Sequence, residues 1–245
     1  MNQPTPNQPA NRRRFLKDSS AAVVGGTLAT AWATPAHAAG SDILKVGLIG
    51  CGGRGSGAAV NAMRAEPNVQ LTAMADAFAD RAEHSSKVLQ RQLGKQFAVT
   101  PETTFHGFDS YKQLIATDVD VVLLCTPPHF RPMQLKAAIE AGKHVFCEKP
   151  VAVDGPGLRS VAETVKKAKQ KNLNLVSGLC WRYDYGVRET MKRIQDGAIG
   201  DIMAVQENYL TGTLWHRGRK PNWSEMEYQM RNWLYFTWLS GDHIV

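Results

Sequence analysis

The run Gly50-Cys51-Gly52-Gly53-Arg54-Gly55 is a G-x-G-x-x-G pattern, and Asp76 stands 21 residues beyond its last glycine. Glycines at those positions let the chain turn tightly and bring backbone N–H groups against a diphosphate. A carboxylate about 20 residues further on accepts hydrogen bonds from a ribose diol. Together they have the chemistry of dinucleotide binding. Asp76 favours NAD, because a carboxylate there repels a 2′-phosphate; Arg54 and Arg81 offset part of that repulsion and keep NADP open. The glycine pattern alone is weak evidence, so its value depends on a strand before it and a helix after it.

Two further clusters have the right residue types. In Cys125-Thr126-Pro127-Pro128-His129, two prolines stiffen a loop. Thr126 and Pro127 then form a rigid wall beside the cofactor, or the loop is stiff for stability alone. His129 either hydrogen-bonds cofactor or substrate or is an ordinary surface histidine. In Glu148-Lys149-Pro150, a lysine at a strand end near a nicotinamide orients a substrate hydroxyl or shuttles its proton, provided burial lowers its pKa. Spacing alone leaves a plain polar side chain as the other reading.

The elements needed to position these clusters are visible in the apolar patterning. Ile43 to Ile49, Val69 to Ala75, Val119 to Cys125, His144 to Cys147 and Asn174 to Ser177 read as strands, with Thr103 to His106 as a short one. Nearly unbroken apolar runs such as Val121-Val122-Leu123-Leu124 suit a strand covered on both faces. Helices are predicted over Gly57 to Glu66, Phe78 to Leu93, a short stretch capped by Asp109 and ending at Ala116, and Pro132 to Ala141 with Gly142 as its stop. Another carries Leu158, Val161, Val165 and Ala168 on one face and Lys166, Lys167, Lys169 and Lys171 on a solvated one. Strand–helix alternation predicts an α/β, doubly wound parallel sheet of the Rossmann kind over residues 39–178. Beyond Gly178 the texture changes. Val187, Met191 and Ile194 stripe a helix closed by Gly197, Ile202 to Leu210 reads as a longer strand, and an aromatic, basic stretch follows. Residues 179–245 read as the start of a second domain.

The chain has 245 residues, 43% of them hydrophobic, enough to bury a sizeable core. Of its formal charge of +7, the first 38 residues carry +3 through Arg12, Arg13, Arg14 and Lys17 against Asp18. The remainder is too mild and too scattered for a phosphate-tracking surface, so no nucleic-acid partner is expected. Asn11-Arg12-Arg13-Arg14-Phe15-Leu16-Lys17, the small-residue run from Ala21 to Ala33 and Ala36-His37-Ala38 predict a twin-arginine signal peptide over residues 1–38. That run is too short to span a bilayer. A periplasmic or exported protein is therefore expected, carried by the twin-arginine export machinery, with no membrane anchor after cleavage. Cys51, Cys125, Cys147 and Cys180 lie in or beside apolar runs without metal-type spacing. Buried free thiols and no metal site are expected.

The strand Val46-Gly47-Leu48-Ile49 with its glycine loop resembles the first motif of the Gfo/Idh/MocA oxidoreductases. Cys125-Thr126-Pro127-Pro128-His129, Glu148-Lys149-Pro150 and Ile194-Gln195-Asp196-Gly197-Ala198-Ile199-Gly200 resemble later ones. The resemblance runs from about Ile43 to the C-terminus and points to exported, glucose–fructose oxidoreductase-like members. It implies a second α/β domain with a mostly antiparallel sheet that carries a sugar or polyol substrate and builds a homo-oligomer. It also implies that Lys149 is the catalytic lysine, that Glu148 lies at the cofactor, and that the Lys149–Pro150 bond is cis. Trp181-Arg182-Tyr183 is similar to the segment leading into the substrate domain, with Arg182 facing the cleft. The family's spaced acid and histidine are not matched by the adjacent Asp242 and His243, so that pair is expected past Val245 and the chain is expected to be a C-terminally truncated fragment.

Three functions remain open on the sequence. The first is an NAD(P)-dependent oxidoreductase with a tightly held cofactor, since free NAD is expected to be scarce outside the cytoplasm. The second is a redox-neutral, NAD-dependent glycosidase. The third is a non-catalytic NAD-binding periplasmic protein.

Overall fold

The computed structural model describes residues 43–242, so the signal peptide expected at 1–38 and His243 lie outside the described residues. Six strands form one sheet: β1 (Leu44–Ile49), β2 (Val69–Asp76), β3 (Thr104–His106), β4 (Val121–Leu124), β5 (His144–Cys147) and β6 (Leu175–Ser177). Their order is β3-β2-β1-β4-β5-β6, and every neighbouring pair is parallel. The direction of strand addition reverses between β1 and β4, which opens a crevice outside their carboxyl ends. The predicted doubly wound parallel sheet is the sheet observed.

Side chains of successive strand residues point to opposite faces. Ile49, Val122 and Leu124 pack on one face with Leu135, Ala138 and Ile139 from α4 (Arg131–Glu140). Val46, Leu48 and Leu123 pack on the other with Ala59 and Met63 from α1 (Gly53–Ala65) and Leu89 from α2 (Ala79–Leu93). β4 is apolar along its whole length, and β1 from Val46 on, because both faces are covered there.

Several local expectations shift. Helix α1 starts at Gly53 rather than Gly57, because the glycine run turns directly into the helix and the Ser56 N–H already donates to the Gly52 carbonyl at 2.9 Å. Asp109 precedes α3 (Ser110–Ile115) but gives it no side-chain cap; its carboxylate pairs with Lys112 at 2.8 Å instead. α5 (Gly155–Gln170) is capped by Asp154, which accepts from the Gly157 N–H at 2.7 Å. Val161 and Ala168 of α5 are buried as expected, while Leu158 in its first turn is exposed. Cys51 and Cys147 are buried, Cys125 is half-buried, and all four thiols are free. Cys180 departs from the expectation: it is exposed, in a turn beyond the last strand.

Past the sheet, Asp184 caps α6 (Tyr185–Gln195) through the Val187 N–H at 2.9 Å, and Gly197 takes φ +86°. No residue of α6 is buried, so its apolar stripe faces solvent. The expected strand at Ile202 to Leu210 is not formed, and no antiparallel sheet exists among the described residues. A strand is defined by a ladder with a neighbour, and none pairs with this segment, which leaves Met203, Val205 and Leu210 84–95% exposed. The chain then returns to the sheet's carboxyl edge through α7 (Glu225–Arg231) and α8 (Thr237–Ser240), burying Met230 and Leu239. No helix among the described residues is long and apolar enough to cross a membrane.

Candidate dinucleotide site

The glycine run does two different jobs. Gly50 takes φ +94°, and a Cβ there would lie 2.6 Å from the Thr126 backbone nitrogen. At Gly55 a Cβ would lie 1.9 Å from the Gly50 carbonyl oxygen. These two glycines let the loop fold against itself and against the β4 loop. Gly52 and Gly53 differ: a Cβ on either would meet nothing within 4 Å. Their missing side chains leave open space in front of the N-terminus of α1, which has no side-chain cap and no acid in its first turn. The first-turn N–H groups, with the helix dipole behind them, face that space and suit a diphosphate.

Asp76 closes β2 beside this loop. Its carboxylate accepts the Cys51 N–H at 2.7 Å and the Phe78 N–H at 2.9 Å, which ties the ribose-binding position to the diphosphate loop. Burial pushes the Asp76 carboxyl above its ordinary range, while the Phe78 and Cys51 amides and the Arg81 charge pull it back.

Gly50, Gly52, Gly53, Arg54, Gly55, Asp76, Thr126 and Pro127 line one cavity of about 410 Å³. Thr126 is held by its hydroxyl, which donates to Gln134 of α4 at 2.6 Å. His129, Glu148, Lys149 and Arg182 do not line that cavity. His129 stacks edge-on against Phe130 and Trp238, with centroids 5.1 and 5.4 Å away. Glu148 is 3% exposed at the end of β5, where its carboxylate pairs with Arg54 at 2.5 Å and accepts the Lys149 N–H at 3.2 Å. Gly178 presses against it, since a Cβ there would lie 2.9 Å from Glu148 Oε2. The Lys149–Pro150 bond is cis, and Lys149 is exposed rather than buried as its proposed role supposed, because it lies past the end of β5, outside the packed faces of the sheet. Arg182 lies in the exposed turn Cys180–Tyr183 after β6. Among the described residues no cluster suited to a metal ion occurs.

Sequence reasoning missed Arg131. It is 3% exposed, donates through Nη1 to the Pro150 carbonyl, and so braces the Pro150–Val151 peptide, one residue beyond Lys149. Its Nε has no partner, and burial lowers its pKa. Nothing in the local pattern separates it from a surface arginine at a helix start. Also missed were Arg217 and Trp233, which line the same cavity from far along the chain beside Trp215.

A parallel sheet with a glycine loop, an open helix N-terminus and a ribose carboxylate defines a nicotinamide-dinucleotide-binding Rossmann domain. Residues 44–178 match the family described as oxidoreductase family, NAD-binding Rossmann fold, and the chain belongs to this Gfo/Idh/MocA family. It is 28% identical over 224 residues to a glycosyl hydrolase family 109 protein of Streptomyces coelicolor, covering 82% of this chain and 45% of that one. It is 29% identical over 162 residues to inositol 2-dehydrogenase of Rhizobium meliloti, covering 66% of this chain and 44% of that one. Among solved structures, scyllo-inositol dehydrogenase from Lactobacillus casei with bound NAD(H) and scyllo-inositol superimposes with a TM-score of 0.52 at 25% identity, covering 65% of this chain and 43% of that one. The chain spans about half the length of the curated relatives it matches.

Proposed function

We propose that the protein is an NAD(P)-dependent oxidoreductase that acts on a sugar or polyol hydroxyl and holds its cofactor tightly. The observation that carries this reading is the convergence of the glycine loop, Asp76 and Glu148-Lys149-Pro150 at the carboxyl ends of β1, β2 and β5 in one sheet. The open N-terminus of α1 with Gly52 and Gly53 binds the diphosphate, and Asp76 holds the adenosine ribose. Thr126 and Pro127 wall the cleft. The nicotinamide, when bound, supplies a hydride acceptor or donor. Lys149 holds and moves the proton of the substrate hydroxyl, on a backbone braced by Arg131 at the Pro150 carbonyl and by the Arg54–Glu148 pair. Arg182 contacts substrate. The leader motif supports an exported, periplasmic location, and the resemblance supports a homo-oligomer.

The test is to purify the protein, release and identify its nucleotide, and assay polyols and aldoses. Lys149→Ala is expected to keep the nucleotide while turnover falls about 10²–10⁴-fold, the usual share of a general acid–base group. Unchanged turnover in the variant would remove Lys149 from the chemistry, and a parent that holds nucleotide but turns over no polyol, aldose or glycoside would be a binding protein. Relatives named glycosyl hydrolase family 109 proteins make p-nitrophenyl glycosides the control substrate. Release of nitrophenol without net oxidation of any polyol would replace the oxidoreductase reading with a redox-neutral glycosidase.

A further inference from the structure

The Rossmann domain supplies only part of the cavity wall. With Asp76, Phe78 and Arg81 that wall includes Trp215, Arg217 and Trp233, residues that no dinucleotide motif specifies. They are held there by built contacts. Asn232, 0% exposed, accepts the Arg217 N–H at 2.7 Å and donates to the Arg217 carbonyl at 3.1 Å, which fixes the backbone that presents this side chain. Arg231 next to it reaches back to the start of α2, giving Asp80 two hydrogen bonds at 2.9 and 3.0 Å and lying 4.0 Å over the Phe78 ring. The anchor therefore grips the loop that carries the ribose carboxylate.

Trp215 packs against Trp233 and Tyr235, with centroids 6.2 and 6.4 Å away, yet remains 43% exposed. The Arg217 guanidinium sits 5.6 Å from the Trp215 ring centre. Among the described residues no carboxylate pairs with Arg81 or Arg217. Both cations line the cavity, and burial together with the Arg217 charge lowers the Arg81 pKa against the opposing pull of Asp76 and Asp80. An aromatic face with the Arg217 guanidinium beside it suits a ring that carries phosphate.

We propose that residues 214–235 form a clamp over the adenosine half of the dinucleotide, in which Trp215 stacks on the adenine and Arg217 binds the adenosine phosphate side. The clamp rests on the dinucleotide reading above and deepens it by explaining how the cofactor is retained. Both residues line the cavity with Asp76, and Lys149 does not, so the effect belongs to the adenosine half of the ligand.

The experiment measures calorimetric affinity of the full chain for NAD, ADP-ribose and nicotinamide mononucleotide. Trp215→Ala and Arg217→Ala are each expected to weaken NAD and ADP-ribose about ten-fold or more, the scale of a lost base–aromatic stack. Binding of nicotinamide mononucleotide and the melting curve should not change. Trp215→Phe should restore most of the affinity. ADP-ribose binding as tight in both alanine variants as in the parent would overturn the clamp while leaving dinucleotide binding intact. A parent protein that binds neither NAD nor ADP-ribose would overturn the dinucleotide reading itself, and the clamp with it.

Discussion

Leu124 in β4 is fully buried and Leu210 is 95% exposed, and the two stand for two halves of the molecule. In residues 43–178 each apolar run finds a neighbouring strand on its edge and helices on its faces. In residues 179–242 most apolar side chains meet water. The exceptions are Met230 and Leu239, where the chain folds back over the sheet's carboxyl edge. The same residue types therefore do different work. Burial against the sheet holds the first half together, while the second is held by its specific contacts to the cofactor loops.

The largest expected effect tests this contrast directly. Leu124→Ala should cost about 2–5 kcal/mol through lost burial and the cavity left behind. On a domain of this size that lowers Tm by roughly 5–20 °C. Leu210→Ala should stay within about 0.5 kcal/mol, as surface substitutions do. Thermal melts of both variants decide it, and comparable losses would mean that the exposed segment is packed in solution.

A similar division runs through the glycine loop. Gly55→Ala forces a methyl into the Gly50 carbonyl and should cost about 1–3 kcal/mol or more, as overpacking does. At Gly52 the backbone has φ −73° and ψ −179°, which alanine adopts without strain, and the added methyl meets only open space. Gly52→Ala should melt like the parent yet bind NAD about ten-fold more weakly, a loss of about 1.4 kcal/mol. Melts paired with titrations separate the two glycines. Equal NAD affinity in Gly52→Ala would place the diphosphate elsewhere.

Asp76 gives a smaller effect that depends on pH. Burial holds its carboxyl above the ordinary range, so the folded state binds the proton more tightly than the unfolded chain. The stability linked to this group is then greatest at low pH and is lost as pH rises through the carboxylate range to the raised value, with no further change above it. Asp76→Asn does not titrate. The parent-minus-variant difference in denaturant midpoint should therefore fall across that acidic window and flatten before neutrality. A difference that rises with pH would show that the Cys51 and Phe78 amides outweigh burial.

These contrasts also show what the sequence made legible. β1, the glycine loop and Asp76 could be read because their determinants are local: an apolar run, a turn only glycine can make, and an acid at the end of the next strand. Helix α1 began early for the same reason, since glycines that look like loop residues were its first turn. Ile202 to Leu210 misled because alternation is necessary for a strand but a partner is what forms it. Asp109 misled because a carboxylate beside Lys112 has a competing cation. Arg131, Arg217 and Asn232 were invisible because their roles are set by contacts across the fold. Arg231 meets Asp80 from 151 positions away, and no spacing rule spans that distance.

That long-range pair gives the smallest and most local prediction. Asp80 is 65% exposed, so solvent screens its attraction to Arg231, and pairs of this kind contribute about 0–1 kcal/mol. Arg231→Ala should therefore lower the global melt by only a few degrees. Its effect belongs to the docked segment. The Arg217 backbone is gripped by Asn232, one residue along from Arg231, and losing the anchor lets that stretch open locally without unfolding the sheet. Trypsin should cut after Arg217 faster in the variant, while the cut after Arg193 on exposed α6 proceeds at the parent rate and serves as the internal reference. Added NAD should slow the Arg217 cut in the parent and lose that protective effect in Arg231→Ala. Equal rates at both sites in both proteins would mean that the second half holds its place without the Asp80 contact.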